Sequence, residues 1–183
     1  MSRESFPKVR RQDRAKEDTW AREFLAESPM GQVAVNHDGH PYIVSNTFVY
    51  DAPNNALYFH TAGNGYLRTI LESGDGRACF SCSVMGRLLP ADTMKELSVE
   101  YSSVVAFGSL QIVTVQKDQR RALELLAQKY FPHLEAGKDI RPLTPGEVSE
   151  TTVYRFEIEH LTGKQKKVDD EFPGSFRYGD APA

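Results

Sequence analysis

The sequence predicts a mainly β domain: six strands, mostly antiparallel, forming a small barrel with flanking helices packed at its ends. Three observations lead there. Residues 152–160 alternate strictly, with Tyr154, Phe156 and Ile158 on one face and Val153, Arg155, Glu157 and Glu159 on the other. Asp38-Gly39, set between two apolar runs, marks a two-residue hairpin. Residues 101–115 form a long valine-rich run, with a bend or bulge expected at Gly108. With 183 residues, 40% of them hydrophobic, the chain suits one domain with a packed core.

The elements follow in order. Residues 1–17 are polar, with Arg10-Arg11-Gln12-Asp13-Arg14 at their centre. They read as an arm that either orders against another surface, such as a partner subunit, or stays solvated. A first helix is capped by Asp18 or Thr19, carries Trp20, Ala21, Phe24 and Leu25 as its stripe, and ends before Pro29. Strands are expected at 31–36, 41–50, 56–61 and 77–85, with a turn at Asp51-Ala52-Pro53-Asn54-Asn55. Between the last two, residues 65–72 form a short helix with Leu67, Ile70 and Leu71 on one side, broken by Ser73-Gly74-Asp75-Gly76. Residues 86–100 are polar and read as a loop. Asp118 caps a helix bearing Leu123, Leu126, Ala127 and Tyr130 at i, i+3, i+4 and i+7. Thr144-Pro145-Gly146-Glu147 opens another with a capping box. The main domain therefore spans 18–168, and 169–183 is a tail rich in Gly, Pro and Asp.

A formal net charge of −3 gives no basic field for nucleic acid. No apolar run reaches the ~20 residues that cross a bilayer, and no apolar segment marks a secretory leader near the N-terminus. A cytoplasmic protein is expected. Cys79 and Cys82 lie at i and i+3 of a strand, facing opposite sides, and read as small core thiols rather than a disulfide or redox pair. His37 and His40 flank the hairpin turn without a third ligand, so no metal site is expected.

The chemistry concentrates in Leu57-Tyr58-Phe59-His60-Thr61-Ala62-Gly63-Asn64-Gly65-Tyr66-Leu67-Arg68. A strand ends in an imidazole and a hydroxyl, a glycine turn follows, and a helix start carries a guanidinium. Backbone N–H groups, a hydroxyl, a cation and a helix N-terminus are the parts of a phosphate site. Alternation sets His60 on the face of Tyr58 and Thr61 on the other. For both to reach one phosphate, the strand must end or bend at Ala62-Gly63; if it stays regular, His60 is the side chain retained.

In order along the chain, Arg10-Arg11-Gln12-Asp13-Arg14, His40-Pro41-Tyr42-Ile43-Val44-Ser45, Tyr58-Phe59-His60-Thr61-Ala62 with Gly65, Tyr101-Ser102-Ser103-Val104-Val105-Ala106-Phe107-Gly108 and Leu161-Thr162-Gly163-Lys164 resemble the pyridoxamine 5′-phosphate oxidase-related FMN-binding split-barrel family. Within it they resemble the branch that includes nitroimidazole-resistance proteins. The resemblance implies a six-stranded split β-barrel, a homodimer, and FMN at the dimer interface. It implies that Val44, Ser45 and Asn46 present backbone to the flavin ring and that His60, Thr61 and Gly65 lie at the ribityl-phosphate. Arg68 would pair with the phosphate, and Ser102 and Ser103 would lie near the cofactor or the interface. Many relatives carry a cation one or two residues after the glycine; here Tyr66 and Leu67 stand there. The arginine-rich C-terminal pattern of the vitamin-processing oxidase is missing from this sequence, with Arg177 alone.

The function implied is an FMN-dependent oxidoreductase that takes electrons from a reduced nicotinamide and acts on a small organic substrate such as a nitroaromatic. No catalytic residue is singled out. A non-catalytic module on the same barrel, holding haem or a deazaflavin, is the alternative; an empty scaffold that only dimerises is a third.

Overall fold

The structure, a computed structural model, describes residues 6–180; residues 1–5 of the arm and 181–183 of the tail lie outside it. Among the described residues there are eight strands and four α-helices. The strands are β1 (Ala15–Lys16), β2 (Gly31–His37), β3 (His40–Asn46), β4 (Val49–Asp51), β5 (Ala56–Ala62), β6 (Arg77–Leu89), β7 (Ser98–Ile112) and β8 (Thr151–Lys166). The helices are α1 (Asp18–Glu27), α2 (Tyr66–Ser73), α3 (Gln116–Tyr130) and α4 (Pro145–Ser149). The hydrogen-bonded order is β3-β2-β6-β7-β8-β5-β4, with β1 on β8. The fold is mainly β, as expected, but with eight strands rather than six.

The chain forms two compact units. Among the described residues, one holds 6–28, 81–105 and 161–180; the other holds 29–80 and 106–160.

In the second unit, Asp38 and Gly39 both take positive φ and close the β2–β3 hairpin with His37 opposite His40. The expected strand over 41–50 is divided. Thr47 and Phe48 leave the strand because α3 satisfies the Phe48 backbone. The Tyr130 hydroxyl accepts from the Phe48 N–H at 2.9 Å, and Lys129 Nζ donates to its carbonyl at 2.9 Å. β4 then pairs with β5, and β5 with β8 from Ala56↔Glu157 to Ala62↔Thr151. One face of these strands packs Val49, Ala56, Tyr58 and Val153 under Ala122 and Leu126 of α3. The other carries Phe59 stacked on Tyr154 at 4.9 Å, while Phe80 lies near Phe48 and Phe156. The buried Asp51 carboxylate takes Arg121 Nη1 of α3 at 2.7 Å.

β7 runs without interruption through Gly108. A Cβ there would lie 1.8 Å from the Glu157 carbonyl oxygen. The glycine lets two strands approach, and the obstacle is backbone. Gly108→Ala should destabilise the protein by ~1–3 kcal/mol or more. Urea unfolding checks this; an unchanged midpoint would mean that the strands part there at no cost.

In the first unit, a short 3₁₀ turn (Gln12–Arg14) leads into β1, so part of the expected arm orders on the chain's own β8. α1 starts without a side-chain cap; Glu17 precedes it, and neither Asp18 nor Thr19 caps. Gly163 lets α1 lie close, since a Cβ would meet Trp20 at 3.0 Å and Ala21 at 3.1 Å. Cys82 is buried, and no disulfide joins it to Cys79.

The expected loop over 86–100 shrinks to 90–97, because β6 runs to Leu89 and β7 starts at Ser98. Polar residues sit in these strands because they satisfy each other. Arg87 binds the Glu100 carboxylate through Nη2 at 2.8 Å and Nε at 2.9 Å. It also donates to the carbonyls of Val168, Asp169 and Asp170. Phe176 bridges Leu88, so the tail folds back on β6.

Arg87, aided by the Val168 N–H, holds the Glu100 carboxyl down to about 2, against an ordinary value of 4.5. A depressed carboxyl pKa adds stability above the unfolded value and loses it as pH falls through the folded value. The contribution of Glu100 is therefore complete above about pH 5 and gone near pH 2. Glu100→Gln should lower the urea midpoint at neutral pH and flatten its decline across that window. A variant whose profile parallels the native one would contradict this.

Candidate functional site

The glycine turn after β5 is built as the sequence suggests, with one difference. Gly63 is the glycine that the fold requires, since a Cβ would lie 2.8 Å from the Glu150 carbonyl oxygen. Gly65 is extended, with its nearest neighbour for a Cβ, Thr61 Oγ1, at 3.8 Å, and it caps α2 without a side-chain bond. The Gly63 carbonyl accepts from Thr152 Oγ1 at 3.0 Å and from Arg68 Nη1 at 3.2 Å. These bonds fix the turn between the start of β8 and the first turn of α2.

Arg68 is half exposed. Its Nε pairs with Glu72 Oε1 at 2.8 Å, one helical turn on, and this bond raises the guanidinium pKa. Thr61 Oγ1 lies 3.3 Å from the Tyr154 hydroxyl and donates to the Ala62 carbonyl. Tyr154 is fully buried, and burial raises its phenol pKa, with Thr61 and Arg68 opposing. Thr61, Tyr154, Thr152 and Arg68 thus gather on one face of the β5–β8 pair.

His60 lies on the other. The strand does not bend at Ala62-Gly63: β5 is regular and paired through Ala62. His60 stands opposite Val153 on the face that α3 covers, and Thr61 stands opposite Thr152 on the face of Arg68. Of the two, Thr61 is the one beside Arg68, where the sequence had favoured His60. His60 is exposed, and partial desolvation lowers its pKa, which favours the neutral imidazole near pH 7.

β3 is a terminal strand of the sheet order, so one backbone edge carries no strand neighbour among the described residues. Along it Tyr42, Val44 and Asn46 share one face and Ile43 and Ser45 the other, where Ile43 is 60% exposed. Tyr66, the first residue of α2, meets Tyr42 edge-on at 5.1 Å and His37 edge-on at 5.3 Å. The face bearing Val44 and Asn46 is therefore the one that α2 approaches. Asn46 Nδ2 is buried and donates to nothing among the described residues.

Ser102 and Ser103 belong to the other unit. Ser102 Oγ accepts from Gln165 Nε2 at 3.0 Å. Tyr42, Thr152 and Tyr154 carry no local signal of a site in the sequence, and Tyr66 stands out there only as a departure from the family pattern. No cluster of metal-ligating side chains occurs among the described residues, and no helix there is long and apolar enough to cross a membrane.

An antiparallel, mainly β domain with this edge strand and glycine turn defines a class, and comparison with known proteins names it. The chain belongs to the pyridoxamine 5′-phosphate oxidase family, whose sequence model matches residues 17–165. A search of curated proteins finds no match. Among solved structures, the chain is similar to the flavocytochrome Anf3 of Azotobacter vinelandii, at 20% identity and TM-score 0.75, over 96% of this chain and 85% of that one. It is similar to a FAD- and heme-binding protein of Mycobacterium smegmatis, at 23% identity and TM-score 0.71, over 84% and 74%. A candidate 5-nitroimidazole antibiotic resistance protein of Bacteroides thetaiotaomicron follows at 19% identity and TM-score 0.66, over 82% and 84%. These likenesses establish the split-barrel fold.

Proposed function

We propose that the protein binds a flavin, specifically FMN, and works as an oxidoreductase. A reduced nicotinamide would be the donor and a small organic molecule, such as a nitroaromatic, the acceptor. The observation that carries the binding is Asn46. A buried amide N–H without an acceptor costs roughly 1–3 kcal/mol. Here it lies on an edge strand whose backbone is open, on the face that α2 approaches. A planar ring edged with carbonyls and ring nitrogens would satisfy both, and the residues present fit it.

When bound, the flavin supplies hydride and electron transfer. The chain's own residues would hold and orient it. Val44, Ser45 and Asn46 would offer backbone and amide groups to the ring. Thr61, the turn 63–65 and Arg68 would take the phosphate end, with Glu72 as competitor for Arg68. Tyr66 would limit the open side. Ser102 and Ser103 keep their implied place near the cofactor or the interface. A homodimer and a cytoplasmic location belong to the same reading. Val84, Met85 and Leu97 of the first unit are half exposed or more, which supports burial against a second copy.

Two of the similar structures are of a FAD- and heme-binding protein and a flavocytochrome, which favours haem as a second reading. His60, exposed, neutral near pH 7 and turned away from Arg68, would be the residue to hold it. The absorption spectrum separates the two by flavin bands or a Soret band. At 100 Kd, FMN should add ~2.7 kcal/mol of stability. No change in melting temperature with FMN, riboflavin or haemin would overturn both.

A further inference from the structure

We propose a second ligand site, in the first unit: Arg14, Lys164 and Tyr101 form a receptor for an oxyanion, the phosphoryl group of a small molecule. It does not depend on the flavin reading.

The site stands on three adjoining segments. Arg14 ends the 3₁₀ turn before β1, Ala15 is paired with Lys164 of β8, and Tyr101 lies on β7, the strand next to β8. Arg14 Nη1 donates to the Tyr101 hydroxyl at 3.2 Å. Lys164 Nζ lies 5.2 Å over the Tyr101 ring, and the Arg14 guanidinium 6.0 Å from its centre. The counter-charge is scant. Asp13 is claimed by Arg11 at 2.6 Å and lies 3.8 Å from Arg14. Lys164 makes no ion pair, and the Tyr101 hydroxyl donates to no group, among the described residues.

Two cations thus converge on one neutral acceptor, the Tyr101 hydroxyl oxygen, which takes both Arg14 and Lys164 as donors. Two cations held against one phenol repel each other, and both are partly withdrawn from water; the Arg14 side chain is 24% exposed. An oxyanion would accept from all three at once, as charge-assisted hydrogen bonds. A phosphoryl group suits the set better than a carboxylate, since its oxygens spread in three directions toward donors that come from three segments. The Arg10–Arg14 run, prominent in the sequence, thereby acquires a role that the flavin site does not give it.

Electrostatics supplies a readout. Burial alone would raise the Tyr101 phenol pKa, but Arg14 and Lys164 outweigh it and lower the value. An anion between the cations would neutralise them and move that ionisation back up.

The test uses the full chain as purified. Tyrosinate absorbance is titrated in chloride and in inorganic phosphate at equal ionic strength, with adenosine monophosphate in a third arm. One tyrosine should ionise ahead of the rest, and phosphate or the nucleotide should shift it upward. Tyr101→Phe should remove that component. Phosphate affinity, from thermal shift, should fall about tenfold or more in Lys164→Met. It should survive in Arg68→Ala, which separates this site from the flavin site. A stronger effect of the nucleotide would identify the phosphoryl group of a larger ligand, and equal effects the free ion. If Lys164→Met does not fold, Tyr101→Phe carries the affinity measurement. An early-ionising tyrosine that neither anion moves, or a phosphate effect that Lys164→Met and Tyr101→Phe leave intact, would overturn the proposal.

Discussion

Phe80→Ala should lower the melting temperature by roughly 6–20 °C. A fully buried Phe→Ala change costs about 3–5 kcal/mol, and each kcal/mol moves a domain of this size about 2–4 °C. Phe80 is 2% exposed, with its ring 4.7 Å from that of Phe48 and 6.1 Å from that of Phe156. The ring also fills the space over Gly31, where a Cβ would lie 2.1 Å from the Phe80 ring tip. Its removal opens a cavity that the β2 backbone cannot fill. Gly31→Ala alone should destabilise by overpacking, and should cost less in the Phe80→Ala background, where the methyl enters the vacated space. Thermal unfolding of the two single variants and the double variant checks both points. A drop under about 3 °C for Phe80→Ala would show that this part of the core collapses freely.

The second large effect is on binding. Arg68→Ala should weaken FMN affinity roughly ten- to a hundredfold, the loss of one charge-assisted phosphate contact. In the ligand-free chain Arg68 is engaged by Glu72 at 2.8 Å, with a further bond to the Gly63 carbonyl. A phosphate must therefore compete with a carboxylate for this guanidinium. Glu72→Gln should release it and tighten FMN severalfold, opposite in sign to Arg68→Ala. Thr61→Ala should weaken FMN more than His60→Ala does, because Thr61 shares the Arg68 face and His60 does not. Fluorescence quenching of free FMN measures all four. Affinity unchanged within twofold in Arg68→Ala would make it a surface charge held by its own helix.

The parts of the fold set by neighbours in sequence were legible. The Asp38-Gly39 hairpin, the capping box at Thr144 and Glu147, and the helix bearing Leu67 and Ile70 each occupy a few adjacent residues. The parts set at a distance were not. The break before β4 depends on Tyr130 and Lys129, more than eighty residues on. The strand ends at Leu89 and Ser98 depend on Arg87 and Glu100 satisfying each other, which local polarity disguises as a loop. The candidate site divides in the same way. Gly63, Gly65 and Arg68 lie close together in sequence and are legible as a unit. Tyr42 and Thr152 reach it from other strands, and the choice between His60 and Thr61 turned on whether β5 stayed regular.

The central claim is that this chain holds a flavin, and the absorption spectrum of the protein as purified, followed by release and mass analysis of the chromophore, tests it most directly. The account predicts the two-banded spectrum of a flavin, with FMN as the released nucleotide, or a colourless protein that acquires that spectrum and a higher melting temperature when FMN is added. A protein that stays colourless after incubation with FMN, with no change in melting temperature, would contradict it.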